Sequence, residues 1–239
     1  MTGKALPPGS AFSGDDGSAD PQLANLLLGH SMRATSLEKV VERLAQVRVL
    51  VPVLASLDKE GFTETGEKYD KEASAGIVAL EAPDGRKALP VFSSVTAMAT
   101  WRKDARPVPV DSVRAALSAV SEGWALLVLD PGSPHEVLIP RPAVWAIAQQ
   151  RPWSPVAKDG IISDDVSSEI RGILEPIEHI ARAHAEPGRT AEVAVVLAID
   201  AGLNRAGLDE VLALVNAALA GSTLISERVD SLELRIGKA

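Results

Sequence analysis

Residues 89–110 read LPVFSSVTAMATWRKDARPVPV. An apolar run closes at Leu89-Pro90-Val91-Phe92. Ser93 and Ser94 follow, and a serine hydroxyl can accept a first-turn N–H and so start a helix. The spacing predicts a short helix over about 94–102, reaching Trp101. Pro107-Val108-Pro109-Val110 then reads as a Pro-rich exit, because proline cannot continue a helix. Strand, corner, helix and exit in so few residues set an α+β class, with mixed sheets and helices rather than a pure bundle or barrel.

Working upstream, residues 76–92 read as a hairpin. GIVALEA and KALPVFS flank Pro83-Asp84-Gly85-Arg86, whose Asp-Gly takes a turn cheaply. The polar stretch 56–74 reads as an exposed excursion. RVLVPVLA at 48–55 is strand-like, and Pro52 removes one ladder donor, so an edge or bulged strand is expected there. A helix starts at Ser36, with Thr35 and Glu38 at capping-box spacing. Leu37, Val40, Val41, Leu44 and Val47 form its apolar face. Residues 1–20, rich in Gly, Ser, Pro and Asp, read as a disordered tail, and 21–34 as a short helix or docked arm around Leu23, Leu26, Leu27 and Leu28.

Downstream, Asp111 opens a helix with a stripe of Val113, Ala116, Leu117 and Val120, closed by Gly123. WALLVLD at 124–130 is a buried strand by its continuous apolar run. Asp130-Pro131-Gly132 turns into its expected antiparallel partner at 135–140. Arg141-Pro142 opens a helix running to Gln150. Residues 35–150 thus form one domain, and 151–163, with two prolines and a glycine, read as a linker. The remainder, 164–239, has the order α-β-β-α-β: a helix capped by Asp164 or Asp165 and ended by Pro176, a hairpin about Glu186-Pro187-Gly188-Arg189, a helix over 207–220 and a strand at 231–236. Two small sandwich modules are expected.

The chain has 239 residues, no cysteine and a net charge of −8. Without cysteine there is no disulfide, no thiolate metal site and no persulfide sulfur transfer. An acidic balance argues against nucleic acid as partner. No apolar run reaches the roughly 18 residues a membrane span needs, and the first twenty residues have no apolar leader, so a cytoplasmic location is expected.

The corner and its surroundings resemble the SseB family over about residues 37–150. The residues that carry the resemblance are Pro90, Val91, Phe92, Ser93, Ser94, Trp101, Pro107, Val108, Leu129, Asp130, Pro131 and Gly132. Ser93 stands where threonine is common, and Asp130 where asparagine is common. The C-terminal part matches the family's second module in element order alone. The resemblance implies a bacterial cytosolic α/β protein of undefined biochemistry, without a diagnostic catalytic signature.

Candidate chemistry is sparse. His179 and His184 lie five apart, which suits neither face of a helix nor one side of a strand, so no metal site is assigned. Ser36–Lys39 and Ser56–Lys59 have Ser-x-x-Lys spacing, but the companion motifs of that chemistry are absent. The GLNRAG stretch before the last long helix lacks the Lys-Ser/Thr of a phosphate loop, and Asp209 and Glu210 would repel an anion there. No catalytic residue and no cofactor are assigned. The candidate binding residues are Phe92, Ser93, Ser94, Trp101, Arg102 and Asp130. They lie at a strand end, a helix start and a turn, where binding function often sits. The other reading of the same residues is structural: Ser93 or Ser94 caps the helix, and Phe92 and Trp101 staple it to the sheet.

Three functions follow. The first is a non-catalytic binding or adaptor module for a protein partner or a small ligand. The second is an enzyme of unfamiliar type acting on an amino-acid-like molecule. The third is a homodimeric structural module using edge strands near Pro52 or at Ser231–Ile236.

Overall fold

The computed structural model describes residues 12–55, 61–62, 68–69, 75–77, 79–82 and 84–238. Residues 1–11 of the expected tail, most of the 56–74 excursion and Pro83 of the expected turn lie outside them. The chain divides into two compact units, Met1–Trp153 and Ser154–Ala239.

In the first unit, helix α1 (Pro21–Ser31) starts on Asp20, whose carboxylate accepts the Leu23 N–H at 2.8 Å. Asp20 also takes two bonds from Arg43 of α2 (Leu37–Leu44), at 2.9 and 2.6 Å, and so ties the two helices together. The N-cap of α2 is Ser36, and its hydroxyl makes no cap bond, so the expected capping box starting at Thr35 does not set this end. Strand β1 (Arg48–Ala55) is followed by the short pair β2 (Gly61–Phe62) and β3 (Lys68–Tyr69), then β4 (Ala75–Ile77), β5 (Leu80–Glu81) and β6 (Lys87–Val91). Helix α3 (Val95–Trp101), strand β7 (Arg106–Asp111), helix α4 (Ser112–Ser121), strands β8 (Leu126–Leu129) and β9 (Val137–Ile139) and helix α5 (Arg141–Ala148) complete the unit.

Besides the two-stranded β2-β3 pair, the strands form sheets β4-β1-β7 and β5-β6-β8-β9, joined by a bridge between Leu50 and Phe92. The first is antiparallel throughout, while β6 and β8 of the second are parallel. The expected hairpin is only partly realised. Leu80-Glu81 pair with β6 about Gly85, at φ +82°, but Ala75–Ile77 pair with β1 instead.

Proline placement departs from expectation at two points. The Pro-Val-Pro-Val exit is strand β7, and β1 with Pro52 is the middle strand of its sheet, not an edge. The reason is donor direction. Leu50 exchanges both backbone bonds with Phe92, at 2.8 and 2.9 Å, so its polar groups point away from β7. Its partner there is Pro109, and two residues on Pro52 faces Pro107. Both are non-hydrogen-bonded pairs in which β7 needs no donor toward β1. Pro52 itself falls where β1 changes partner from Phe92 to β4, whose last residue, Ile77, is opposite Val53.

The core gathers Leu23, Leu27, Val40, Leu44, Leu89, Val91, Leu127 and Leu129 with α4 and α5. The buried face of α4 is Ser112, Ala115, Ala116 and Ala119, rotated from the expected stripe so that Leu117 is half exposed. Small residues let α4 approach its neighbours closely, and Ser112 pins the helix start by donating its N–H and hydroxyl to the Val47 carbonyl at 3.2 and 2.8 Å.

The second unit begins inside the expected linker. There, β10 (Ala157–Lys158) and β11 (Ile161–Ile162) form a hairpin about Asp159 and Gly160, both at positive φ, as a tight two-residue turn requires. The N-cap position of helix α6 (Asp164–Leu174) is Ser163, whose hydroxyl makes no cap bond, and the expected caps Asp164 and Asp165 lie instead in the first turn, where negative charge meets the positive helix end. Strands β12 (Ile180–Pro187) and β13 (Val193–Ile199) are antiparallel. Helices α7 (Arg205–Gly221) and α8 (Thr223–Arg228) then lead to β14 (Leu232–Lys238), parallel to β13. Val193, Val195, Leu197 and Ile199 share a core with Val166, Ile170 and Leu174 of α6 and Val211, Val215 and Leu219 of α7. At the start of α7, Asn204 accepts the Gly207 N–H at 2.9 Å, so GLNRAG is a capped helix start. Helices and mixed sheets together make the chain an α+β protein.

Candidate functional site

The parallel pairing of β6 with β8 brings two strand ends together, because parallel strands finish on the same side of a sheet. Val91 stands opposite Leu129, so Ser93 and Asp130 meet just beyond the ladder. Asp130 adopts φ +51°, a left-handed conformation that aspartate and asparagine tolerate better than most residues. Its carboxylate accepts the Ser93 N–H at 2.7 Å and the Ser93 hydroxyl at 2.6 Å. Both residues are buried. Burial raises the Asp130 carboxyl above its ordinary range, against the opposing pull of the Ser93 bonds and of nearby His135.

Arg48, the first residue of β1, completes the corner. Its guanidinium donates to the Ser93 carbonyl at 2.6 Å, to the Asp15 carboxylate at 2.5 and 3.0 Å, and to the Ser18 carbonyl. Residues 15–18 therefore do not belong to a disordered tail. They fold over the corner, and the Val95 N–H of α3 donates to the Gly17 carbonyl at 2.9 Å. Gly17 sits at φ +77°, and a Cβ there would lie 2.5 Å from Val95 Cγ2. Gly17→Ala is accordingly expected to cost about 1–2 kcal/mol, seen as a lower denaturation midpoint together with faster proteolysis within residues 12–20.

Ser94 is the residue that caps α3, its hydroxyl accepting the Ala97 N–H at 3.1 Å. Phe92, fully buried, packs with Leu50 and Met98, and its ring centroid lies 5.2 Å from that of Trp101. Arg102 lies over the Trp101 ring at 5.9 Å and pairs with Asp104 at 2.7 Å. The six sequence-predicted residues thus share one corner but not one surface. Phe92, Ser93 and Asp130 are buried, with the Ser93 N–H and hydroxyl bonded to the Asp130 carboxylate, whereas Arg102 is exposed. The amides of Ser93, Val95 and Ala97, which could have received a carboxylate, already have acceptors. Ser93 and Asp130 touch directly, while the His135 ring bonds Ser31 at 3.0 Å. A nucleophilic serine needs its base between hydroxyl and carboxylate, and that order is not present here.

An open concavity lies elsewhere on the same unit. A groove of about 450 Å³ runs between the sheet β4-β1-β7 and helix α4. The sheet supplies Val51, Val53, Val108 and Val110, β6 of the neighbouring sheet supplies Leu89, and the helix supplies Ala115, with Arg114, Leu117 and Ser118. Sequence reading missed it because α4 was placed with Leu117 inward. The small residues at 115, 116 and 119 were the available signal. Among the described residues no cluster of three or more His, Asp or Glu is placed to hold a metal. No described helix is long and apolar enough to cross a membrane.

The fold and its corner define a small α+β module in which parallel strand ends are locked by a serine–aspartate pair. The chain belongs to the SseB family: the SseB protein N-terminal domain matches residues 23–146, just over half of the sequence. That span includes Arg48, Ser93 and Asp130, and Asp15 precedes it. No curated protein and no solved structure matches the chain.

Proposed function

We propose that this SseB-family protein is a non-catalytic binding module whose N-terminal unit takes an apolar part of its partner into the groove between α4 and β1–β7. One observation carries the reading: the groove is lined almost wholly by aliphatic side chains and stands open, with Leu117 and Val108 half exposed at its sides. Water gains little there, and an apolar group that enters gains roughly 25 cal/mol for each Å² it removes from solvent. The corner at Ser93 is then the scaffold that fixes β6, α3 and β7, and with them one wall of the groove. Its polar groups are spent on one another, which supports binding over catalysis.

The test is affinity purification from native cytosol, read by mass spectrometry, with the wild-type chain beside Ser118→Trp. Ser118 is an exposed α4 residue at the groove, so an indole there fills the space without touching the core. Whatever is retained by the wild type is expected to be lost from the variant at unchanged melting temperature. Retention of the same set by both proteins refutes the groove as the site.

A further inference from the structure

We infer that the groove on α4 and β1–β7 binds an unbranched acyl carboxylate of medium chain length, with Arg114 receiving the carboxylate. The inference rests on the groove being a binding site and adds the chemistry of its ligand.

Three observations lead to it. The volume of about 450 Å³ holds roughly ten to fifteen non-hydrogen atoms, at about 30 Å³ for each water-sized group. Among the described residues the lining is aliphatic, from Val51, Val53, Leu89, Val108, Val110 and Leu117, and none is aromatic. Among the described residues that line it, the only charge is Arg114, an exposed cation one turn from Ser118 that bonds no carboxylate or carbonyl among those residues, in a chain whose net charge is −8. A guanidinium with no anionic partner among the described residues, beside an apolar slot, matches a carboxylate at the end of an apolar chain, since its fork can donate to both oxygens.

A peptide is disfavoured by the same wall. A peptide that left the groove as an added strand on the outer side of β7 would meet Pro107 and Pro109, which present no N–H. Its carbonyls would be left unpaired, at a cost of about 1–3 kcal/mol each. An acyl chain has no such requirement. The groove therefore distinguishes its ligand partly by what the sheet edge lacks.

Calorimetric titration of the full chain with decanoate, 1-decanol and decyltrimethylammonium tests this. Decanoate is expected to bind about tenfold tighter than decanol, and the ammonium to bind weakest. Arg114→Gln should erase the decanoate preference and leave decanol unchanged. Ser118→Trp should abolish both, and Val108→Glu, on the exposed strand, provides a second block should the first variant misfold. Equal binding of decanoate and decanol, or no effect of Arg114→Gln, overturns the carboxylate assignment while leaving the groove a binding site. If no chain binds, or if Ser118→Trp and Val108→Glu change nothing, the site itself is refuted. A dimer in light scattering that Ser118→Trp dissociates would give the groove to a second copy and overturn the ligand as well.

Discussion

Asp130→Ala is expected to destabilise the N-terminal unit by about 3–5 kcal/mol in chemical denaturation. The carboxylate accepts both the N–H and the hydroxyl of buried Ser93, and alanine leaves two donors without acceptors where water has little access. Each buried unsatisfied group costs about 1–3 kcal/mol. Alanine must also hold φ +51°, which adds about 1–2 kcal/mol. Asp130→Asn separates these contributions. Asparagine tolerates the left-handed conformation, its amide oxygen can accept the Ser93 N–H, and the hydroxyl can rotate to accept from the amide nitrogen. It should therefore retain most of the stability.

The asparagine variant also reports on charge. Burial is the main influence on Asp130 and raises its carboxyl above the ordinary value of 3.8. A raised carboxylate holds its proton in the folded protein at a pH where the unfolded chain has released it. The contribution of this group is thus greatest below 3.8, declines as pH rises to the folded value, and is flat above it. Relative to wild type, Asp130→Asn should gain stability as pH is raised through that window. A difference between the two proteins that stays constant with pH would show that burial does not govern this carboxylate.

Arg48→Ala is expected to cost about 3 kcal/mol and to release residues 12–20 to proteolysis. Arg48 and Asp15 are 14% and 12% exposed, so the pair is largely shielded. Removing one partner of such a pair leaves the other charge poorly solvated, a loss of about 3–5 kcal/mol when burial is complete. The Ser93 carbonyl loses a donor as well. Arg48→Lys should recover only part of the loss, because an ammonium cannot span two carboxylate oxygens and two carbonyls as the guanidinium does. The pH dependence here has the opposite sign to that of Asp130. The Arg48 hydrogen bond holds the Asp15 carboxyl below its ordinary value. Its stabilisation is present above 3.8 and is lost as pH falls through the folded value, so Arg48→Ala should flatten the acid limb of the stability curve. An unchanged acid limb, or a segment no more sensitive to protease, would show that the pair does not hold residues 12–20 in place.

The strongest local patterns were legible in the sequence. LLVL at 126–129 is a strand buried at every position, and the long apolar stripe after Asn204 is a helix. Ser94 caps α3, and Phe92 and Trp101 meet as the corner pattern implied. What failed depended on partners distant in the chain. The prolines of β7 read as an exit from the helix, and only the partner strand reveals a strand in which donors at those positions would have pointed away. Asp15 and Gly17 read as tail residues by composition, since nothing local announces Arg48 thirty-three residues on. The turn of α4 that exposes Leu117 was hidden because alanine and leucine are both apolar. Periodicity alone could not say that the small residues would lie inward, and the groove went with that choice.

The prolines of β7 also bear on how the protein behaves when crowded. An outer strand normally carries a row of unmet amides that can recruit a strand from another molecule, the first step toward amyloid-like stacking. Along β7 that row is interrupted at 107 and again at 109, two consecutive outward positions. Foreign strands find no continuous ladder there. An apolar slot can thus stay open beside the edge of a sheet, with the strand that walls it also denying aggregation a template.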